Sequence, residues 1–205
     1  MLFQDVVQTT KKTAWKNTKQ YIIVHHTGSD SYTGNLRYLS TDKNTASVHY
    51  VVGQAWEVGK IWEHNDILWH AWVSERKWLV GMNSYSIGIE VCSDWHVFSD
   101  TQKKKVKELI QYIMKEEWIP KENVLRHVDI APNRKRDVWP LFWNTEYQSW
   151  QAYQNSLVSN TPKMNINNVI QAVISLNSFL RDNIENAELR ELLSKTNTIL
   201  RGMIK

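Results

Sequence analysis

Short apolar runs rich in β-branched residues recur along the first two thirds of the chain, each closed by polar or turn-forming residues. Residues 21–24 (Y-I-I-V), which end on His25 and His26 and are followed by T-G-S-D, predict a buried central strand. Residues 47–52 (S-V-H-Y-V-V) predict another, and residues 55–61 pair with it across Gly53-Gln54 as a hairpin. Residues 86–91 (S-I-G-I-E-V) return to strand character, and residues 124–127 form a short strand. Between them, residues 101–118 place Val106, Ile110, Ile113 and Met114 among charges, the pattern of an amphipathic helix stopped by Pro120. Residues 141–157 repeat helical spacing through Phe142, Tyr147, Trp150 and Tyr153. Residues 64–78, with W-H-A-W at their centre, show little periodicity and read as a structured loop. Residues 1–20 carry a short apolar start (Leu2, Phe3, Val6, Val7) and then a basic run, read as a packed leader or helix plus a loop. Strands alternating with helices give an α/β class, with a central mixed β-sheet flanked by helices.

The pattern changes at residues 158–163 (V-S-N-T-P-K), which read as a linker. Beyond it aromatics almost vanish. Apolar residues recur at helical spacing through Ile166, Val169, Val173, Leu176 and Leu180, and again through Leu189, Leu192, Leu193, Ile199 and Leu200. The polar break at 181–186 makes these a C-terminal helical hairpin appendage. The chain therefore divides into a main domain (1–157), a linker (158–163) and a hairpin (164–205). Two short helices bury too little apolar area to stand alone. They pack on the main domain, on another copy or on a target, with packing or self-association weighed above wall binding.

A chain of 205 residues supports one well-formed core and little more. Hydrophobic and charged contents are ordinary, but 11 Trp is far above usual usage, which suits either a thick core or a groove for sugars and peptides. The net charge of +4 and pI of about 9.0 favour contact with a polyanion, nucleic acid or an anionic cell wall, without choosing between them. No apolar stretch is long enough for a membrane span, and the first residues lack the apolar core of a secretion signal, so the expectation is a protein made in the cytoplasm. The single cysteine, Cys92, excludes an internal disulfide and reads as a buried inert thiol.

Candidate chemistry concentrates in residues 127–137, H-V-D-I-A-P-N-R-K-R-D, where an imidazole, a lysine, two arginines and two carboxylates surround a proline-containing turn. A solvated charged loop has the same composition. What changes the balance is His25 at the end of one strand, His127 at the end of another and Asp137 beyond the turn. A catalytic zinc site takes three ligands of this kind from strand ends and loops and leaves one position open.

The segments I-I-V-H-H-T, S-V-H-Y-V-V, W-H-A, N-S-Y-S-I-G-I-E and H-V-D-I-A-P-N-R-K-R-D, in this order, resemble the zinc-dependent N-acetylmuramoyl-L-alanine amidases over roughly residues 20–145. This family spans phage endolysins, cytosolic anhydro-muropeptide amidases and, more distantly, peptidoglycan-recognition proteins. The most specific part is H-x7-K-x-D combined with S-I-G-I-E. The resemblance implies that His25, His127 and Asp137 bind Zn²⁺, that Glu90 is the general base and that Lys135 stabilises the oxyanion. It places His70, Asn83 and Arg134 near substrate, His70 for contact or proton handling. His26, His49, His64 and His96 stay structural or surface residues, and Asp129 is a candidate to orient His127.

The substrate implied is peptidoglycan, cut between N-acetylmuramic acid and L-alanine, with no nucleic-acid partner and no membrane insertion. The job implied is a phage endolysin that reaches the wall through a holin. A cytosolic recycling amidase and a non-catalytic recognition module are the alternatives. The chain departs from the family pattern at Trp72, where glycine is common, at Val138-Trp139 in place of Pro-Gly, at Asn133, where glycine is also common, and at Val48 in place of a tyrosine.

Overall fold

The computed structural model describes residues 4–5, 15–41, 45–138, 142, 148–157 and 166–202. The chain divides into two compact units, Met1–Val158 and Ser159–Lys205. The first contains a six-stranded sheet in the order β1-β4-β3-β7-β2-β8. Its strands are β1 (Gln4–Asp5), β2 (Tyr21–His26), β3 (Tyr50–Val52), β4 (Val58–Lys60), β7 (Ser86–Val91) and β8 (Val124–Arg126). A separate ribbon pairs β5 (Glu75–Arg76) with β6 (Leu79–Val80).

The β3, β7, β2 and β8 strands run parallel, so their carboxyl ends share one edge. β4 returns antiparallel to β3, with Val52 opposite Val58 and the Gly53 N–H bonded to the Glu57 carbonyl at 2.9 Å, which is the predicted hairpin. The sheet is therefore mixed, as the strand and helix pattern implies. Within the short apolar start, read from the sequence as a packed leader or a helix, Gln4–Asp5 forms an edge strand, parallel to β4; residues 6–14 lie outside the described residues.

Alternation along the two central strands sorts their side chains. Ile22, Val24, Ile87, Ile89 and Val91 join one core with Val106, Leu109, Ile110 and Ile113 of α2 (Asp100–Glu117) and with Phe142, Trp150 and Tyr153. Tyr21 and Ile23 lie on the opposite face with Ala71, Met82, Leu125 and Ile130. Successive strand residues point to opposite faces, so His25 shares the second face with Tyr21 and Ile23, and Glu90 shares it with Ser86 and Gly88. His25 and Glu90 are also register partners across the β2–β7 ladder.

The helix α1 (Tyr32–Ser40) follows the T-G-S-D turn, in a stretch to which the sequence pattern assigned no element. The Ser31 hydroxyl caps it by accepting from Gly34 N–H, and Leu36 and Leu39 pack on Val51, Trp62 and Leu68. α2 begins with a capping box at Ser99 and Gln102 and ends at Trp118, in left-handed conformation two residues before Pro120. Of the helix expected over 141–157, α4 (Trp150–Ser156) is present; residues 141 and 143–147, which include Tyr147, lie outside the described residues, as do the 158–163 linker and Trp139. In the second unit, α5 (Ile166–Asn183) and α6 (Ala187–Gly202) pair around Asn197, whose amide donates to Ser178 Oγ at 3.1 Å. No described helix is long and apolar enough to cross a membrane.

Candidate active site

Three strand ends and one turn build the site. His25 is the fifth residue of β2, and His127 follows β8 directly as the first residue of the short helix α3 (His127–Ile130). The chain then turns through Ala131-Pro132-Asn133, where the Arg134 and Lys135 amides both bond back to the Ala131 carbonyl. That return brings Asp137 beside α3, fixed by a 2.8 Å bond from Val128 N–H to its carbonyl. Parallel α/β sheets place ligand sites outside the carboxyl ends of their strands for this reason.

His25 Nδ1 lies 2.8 Å from His127 Nδ1, His127 Nδ1 lies 3.1 Å from Asp137 Oδ2, and His25 Nδ1 lies 3.7 Å from the same oxygen. All three residues are buried, and they are the group of potential metal ligands found among the described residues. Ligand atoms about 2.0–2.1 Å from a tetrahedral Zn²⁺ stand about 3.3 Å apart, and the three observed separations straddle that value. The donor set, two imidazoles and a carboxylate, suits the same ion. Glu90 stands on the neighbouring strand, with Oε2 buried and without a partner among the described residues.

Burial sets the charge states. It lowers His25 to about 4, helped by the nearby His127, and it lowers His127 as well, so both rings stay neutral and able to ligate. Burial alone would raise Asp137, but the hydrogen bond with His127, together with the nearby His25 ring, outweighs it and holds the carboxyl well below its ordinary range. Glu90 is pushed up to about 8, by burial first and by Asp137 second, while the Lys135 charge pulls it back. Carboxylates driven apart in this way, one firmly ionised and one poised near neutrality, mark acid–base sites.

A family model described as N-acetylmuramoyl-L-alanine amidase matches residues 15–140. The chain belongs to this family. It is 32% identical to the N-acetylmuramoyl-L-alanine amidase AmiD of Escherichia coli, over 59% of this chain and 49% of that protein. It is also 32% identical to the 1,6-anhydro-N-acetylmuramyl-L-alanine amidase AmpD of Haemophilus influenzae, over 54% of this chain and 58% of that one. The chain thus spans about half the length of these curated relatives. The fold agrees with a solved complex of Escherichia coli AmiD with the substrate anhydro-N-acetylmuramic acid-L-Ala-D-gamma-Glu-L-Lys, at a TM-score of 0.60 and 23% identity over 79% of this chain and 66% of that one. It agrees equally with a mutant endolysin from Bacillus subtilis, at 0.58 and 21% over 76% and 99%.

Around this amidase-family centre the remaining sequence candidates take distinct places. His70 is buried, with Nδ1 3.0 Å from His25 Nε2 and Nε2 3.4 Å from Ser86 Oγ. Asn83 is also buried, and its side-chain oxygen accepts from the His70 and Ala71 amides at 3.1 and 2.7 Å. Arg134 donates to the Ala71 and Val73 carbonyls at 3.1 and 3.0 Å, so Asn83 and Arg134 both fasten the 70–73 loop. Lys135 is half-buried, and its charge depresses the proton affinity of His25, His127 and Glu90 together. Asp129 is taken up by Arg126, accepting from its amide at 2.8 Å and from its guanidinium at 2.6 Å.

The bland histidines have structural partners. His49 bridges Gly88 and Asp66, His64 bridges Tyr50 and Glu117, and the exposed His96 pairs with Asp30 at 3.3 Å. Trp72 occupies a left-handed backbone (φ 40°), whereas Asn133 does not use such a conformation. Trp72, Trp69 and Trp15 line a cleft of about 660 Å³ together with Asn83, and none of the three candidate ligands borders it. Sequence reasoning passed over Ser86 and Gly88. The available signal was the two-residue spacing that puts both on the face of Glu90 in S-I-G-I-E.

Proposed function

We propose that this chain hydrolyses the amide between the lactyl group of N-acetylmuramic acid and the L-alanine of peptidoglycan, using Zn²⁺ held by His25, His127 and Asp137. The convergence of these three donors beside Glu90 carries the reading. When bound, the ion supplies Lewis acidity to the scissile carbonyl and to the attacking water. Glu90 takes a proton from that water as it attacks and returns it to the alanine nitrogen as the C–N bond breaks. Its position in a buried niche, with an elevated proton affinity, suits both halves of that task. Lys135, whose charge acts on His25, His127 and Glu90, stabilises the oxygen on which negative charge develops and so contributes in the transition state more than in the bound substrate. Arg134 and Asn83 hold the 70–73 loop, whose Trp72 and Val73 line the aromatic cleft.

The wall polymer is the substrate we favour, as in an endolysin, with the hairpin of α5 and α6 serving packing or self-association. Exposed Trp15, Trp69 and Trp72, an aromatic surface suited to an extended glycan, support this choice. The recycling reading has its own support in the 1,6-anhydro specificity named for the Haemophilus influenzae relative. Purified protein incubated with insoluble sacculi is expected to release peptides with new N-terminal L-alanine, and a chelator is expected to stop the release. New reducing ends instead would identify a glycosidase. Turnover of soluble anhydro-muropeptides without release from sacculi would move the protein to recycling.

A further inference from the structure

We infer that His70 is a positioning residue that dictates which nitrogen of His25 is bare, through a hydrogen-bond relay running from Ser86 through His70 to His25. The inference rests on the zinc reading of the triad. The relay starts at Ser86, whose hydroxyl donates to the Met82 carbonyl at 2.6 Å. With that hydrogen spent, Ser86 Oγ can only accept from His70 Nε2, 3.4 Å away, so His70 carries its hydrogen on Nε2. A neutral imidazole has one N–H. His70 Nδ1 is therefore an acceptor, and its neighbour at 3.0 Å, His25 Nε2, must be the donor. His25 is left with a bare Nδ1, the atom that faces His127 Nδ1 and Asp137. A ligating histidine fixed by the bond that its other nitrogen makes is a general device for orienting metal ligands.

The seat of His70 is built for this. An added Cβ at Gly88 would lie 2.6 Å from His70 Cγ and 2.7 Å from its Nδ1, so only glycine at this position of β7 lets the ring lie against the strand. Asn83 clamps the backbone of His70 from the other side, and the His49 ring stands edge-on to it with centroids 6.0 Å apart. Gly88, Ser86 and Asn83 thus serve the metal centre at one remove, through His70. The contacts of His70 lead away from solvent and into the protein, whereas the resemblance placed it near substrate, for contact or proton handling.

The test is an imidazole ¹⁵N–¹H correlation spectrum of the wild-type protein, metal-free and zinc-loaded, together with zinc affinities from competition with a chelating indicator. The expected spectrum has the hydrogen on Nε2 of both His25 and His70. His70→Phe, which removes the acceptor, is expected to weaken zinc binding by about 10–100-fold. His70→Asn, whose side-chain oxygen stands near the place of Nδ1, is expected to restore most of it. A hydrogen on Nδ1 of His25 in wild type, or unchanged zinc affinity in folded His70→Phe, overturns the relay while leaving the zinc reading intact. Wild-type protein that binds no zinc overturns both. Should His70→Phe not fold, the wild-type spectrum decides alone.

Discussion

Glu90 and His49 contrast a half-buried side chain proposed for chemistry with a fully buried one that serves structure on the same face of the sheet. Glu90 has a buried oxygen without a partner among the described residues, an arrangement with no structural reward. Glu90→Gln keeps the shape and removes the base. It is expected to leave zinc affinity within about twofold and to lower kcat by about 10²–10⁴-fold, read from product release on a muramyl peptide and from calorimetric zinc titration. His49 is fully paired: its Nδ1 accepts from Gly88 N–H at 3.0 Å, which leaves Nε2 to donate to the Asp66 carbonyl at 3.1 Å. Burial lowers it from 6.5 to about 3. The unfolded chain therefore binds this proton at a higher pH than the folded one. Stability from this residue is complete above pH 6.5 and falls as the pH drops towards 3, by about 1.4 kcal/mol per pH unit. His49→Gln is expected to remove one proton from that slope, measured as urea midpoints across the window.

At the scale of elements, α2 is the largest support of the sheet and the clearest in the sequence, because Val106, Ile110 and Ile113 recur on one face between charged residues. Its start is held by a reciprocal pair, Gln102 N–H to Ser99 Oγ at 3.2 Å and Ser99 N–H to Gln102 Oε1 at 3.1 Å. Gln102 also donates to the Cys92 carbonyl at 2.7 Å, which ties the helix to the end of β7. Ser99→Ala is expected to cost about 1 kcal/mol in chemical denaturation with no change in zinc affinity. The strands were equally legible where β-branched residues run together. α1 was not, since its two buried leucines, Leu36 and Leu39, are too few to set a period and glycine sits in its first turn. The edge strand at Gln4–Asp5 was hidden for a different reason: a two-residue strand has no pattern of its own and exists only because β4 offers it a ladder.

At the scale of the molecule, the contacts of the chain cluster into Met1–Val158 and Ser159–Lys205, and the candidate chemistry lies wholly in the first. The second unit exposes Leu176, Phe179, Leu180, Leu189, Leu192 and Ile199. Removing residues 159–205 is expected to leave the remaining unit folded, with wild-type zinc affinity and wild-type turnover of soluble muramyl peptides. Of the two roles we favour for the hairpin, packing and self-association, the second predicts that the full chain is larger than a monomer by light scattering and that the truncated chain is monomeric. An unchanged oligomeric state combined with lost binding to sacculi would assign the hairpin to the wall instead.

By itself the sequence determined the residue types of the site and their order, because metal ligation and proton transfer demand particular side chains and short motifs carry them. It also determined the class of the fold, since the alternation of β-branched runs with amphipathic spacing is a local property. Tertiary structure decided which nitrogens and oxygens meet. Strand order puts β7 between β3 and β2 and so sets Glu90 opposite His25, and only the folded sheet brings His127 to within 2.8 Å of a residue 102 positions away. It also turned His70 inward. Nothing in W-H-A tells which way an imidazole faces; the missing side chain of Gly88 across the sheet does.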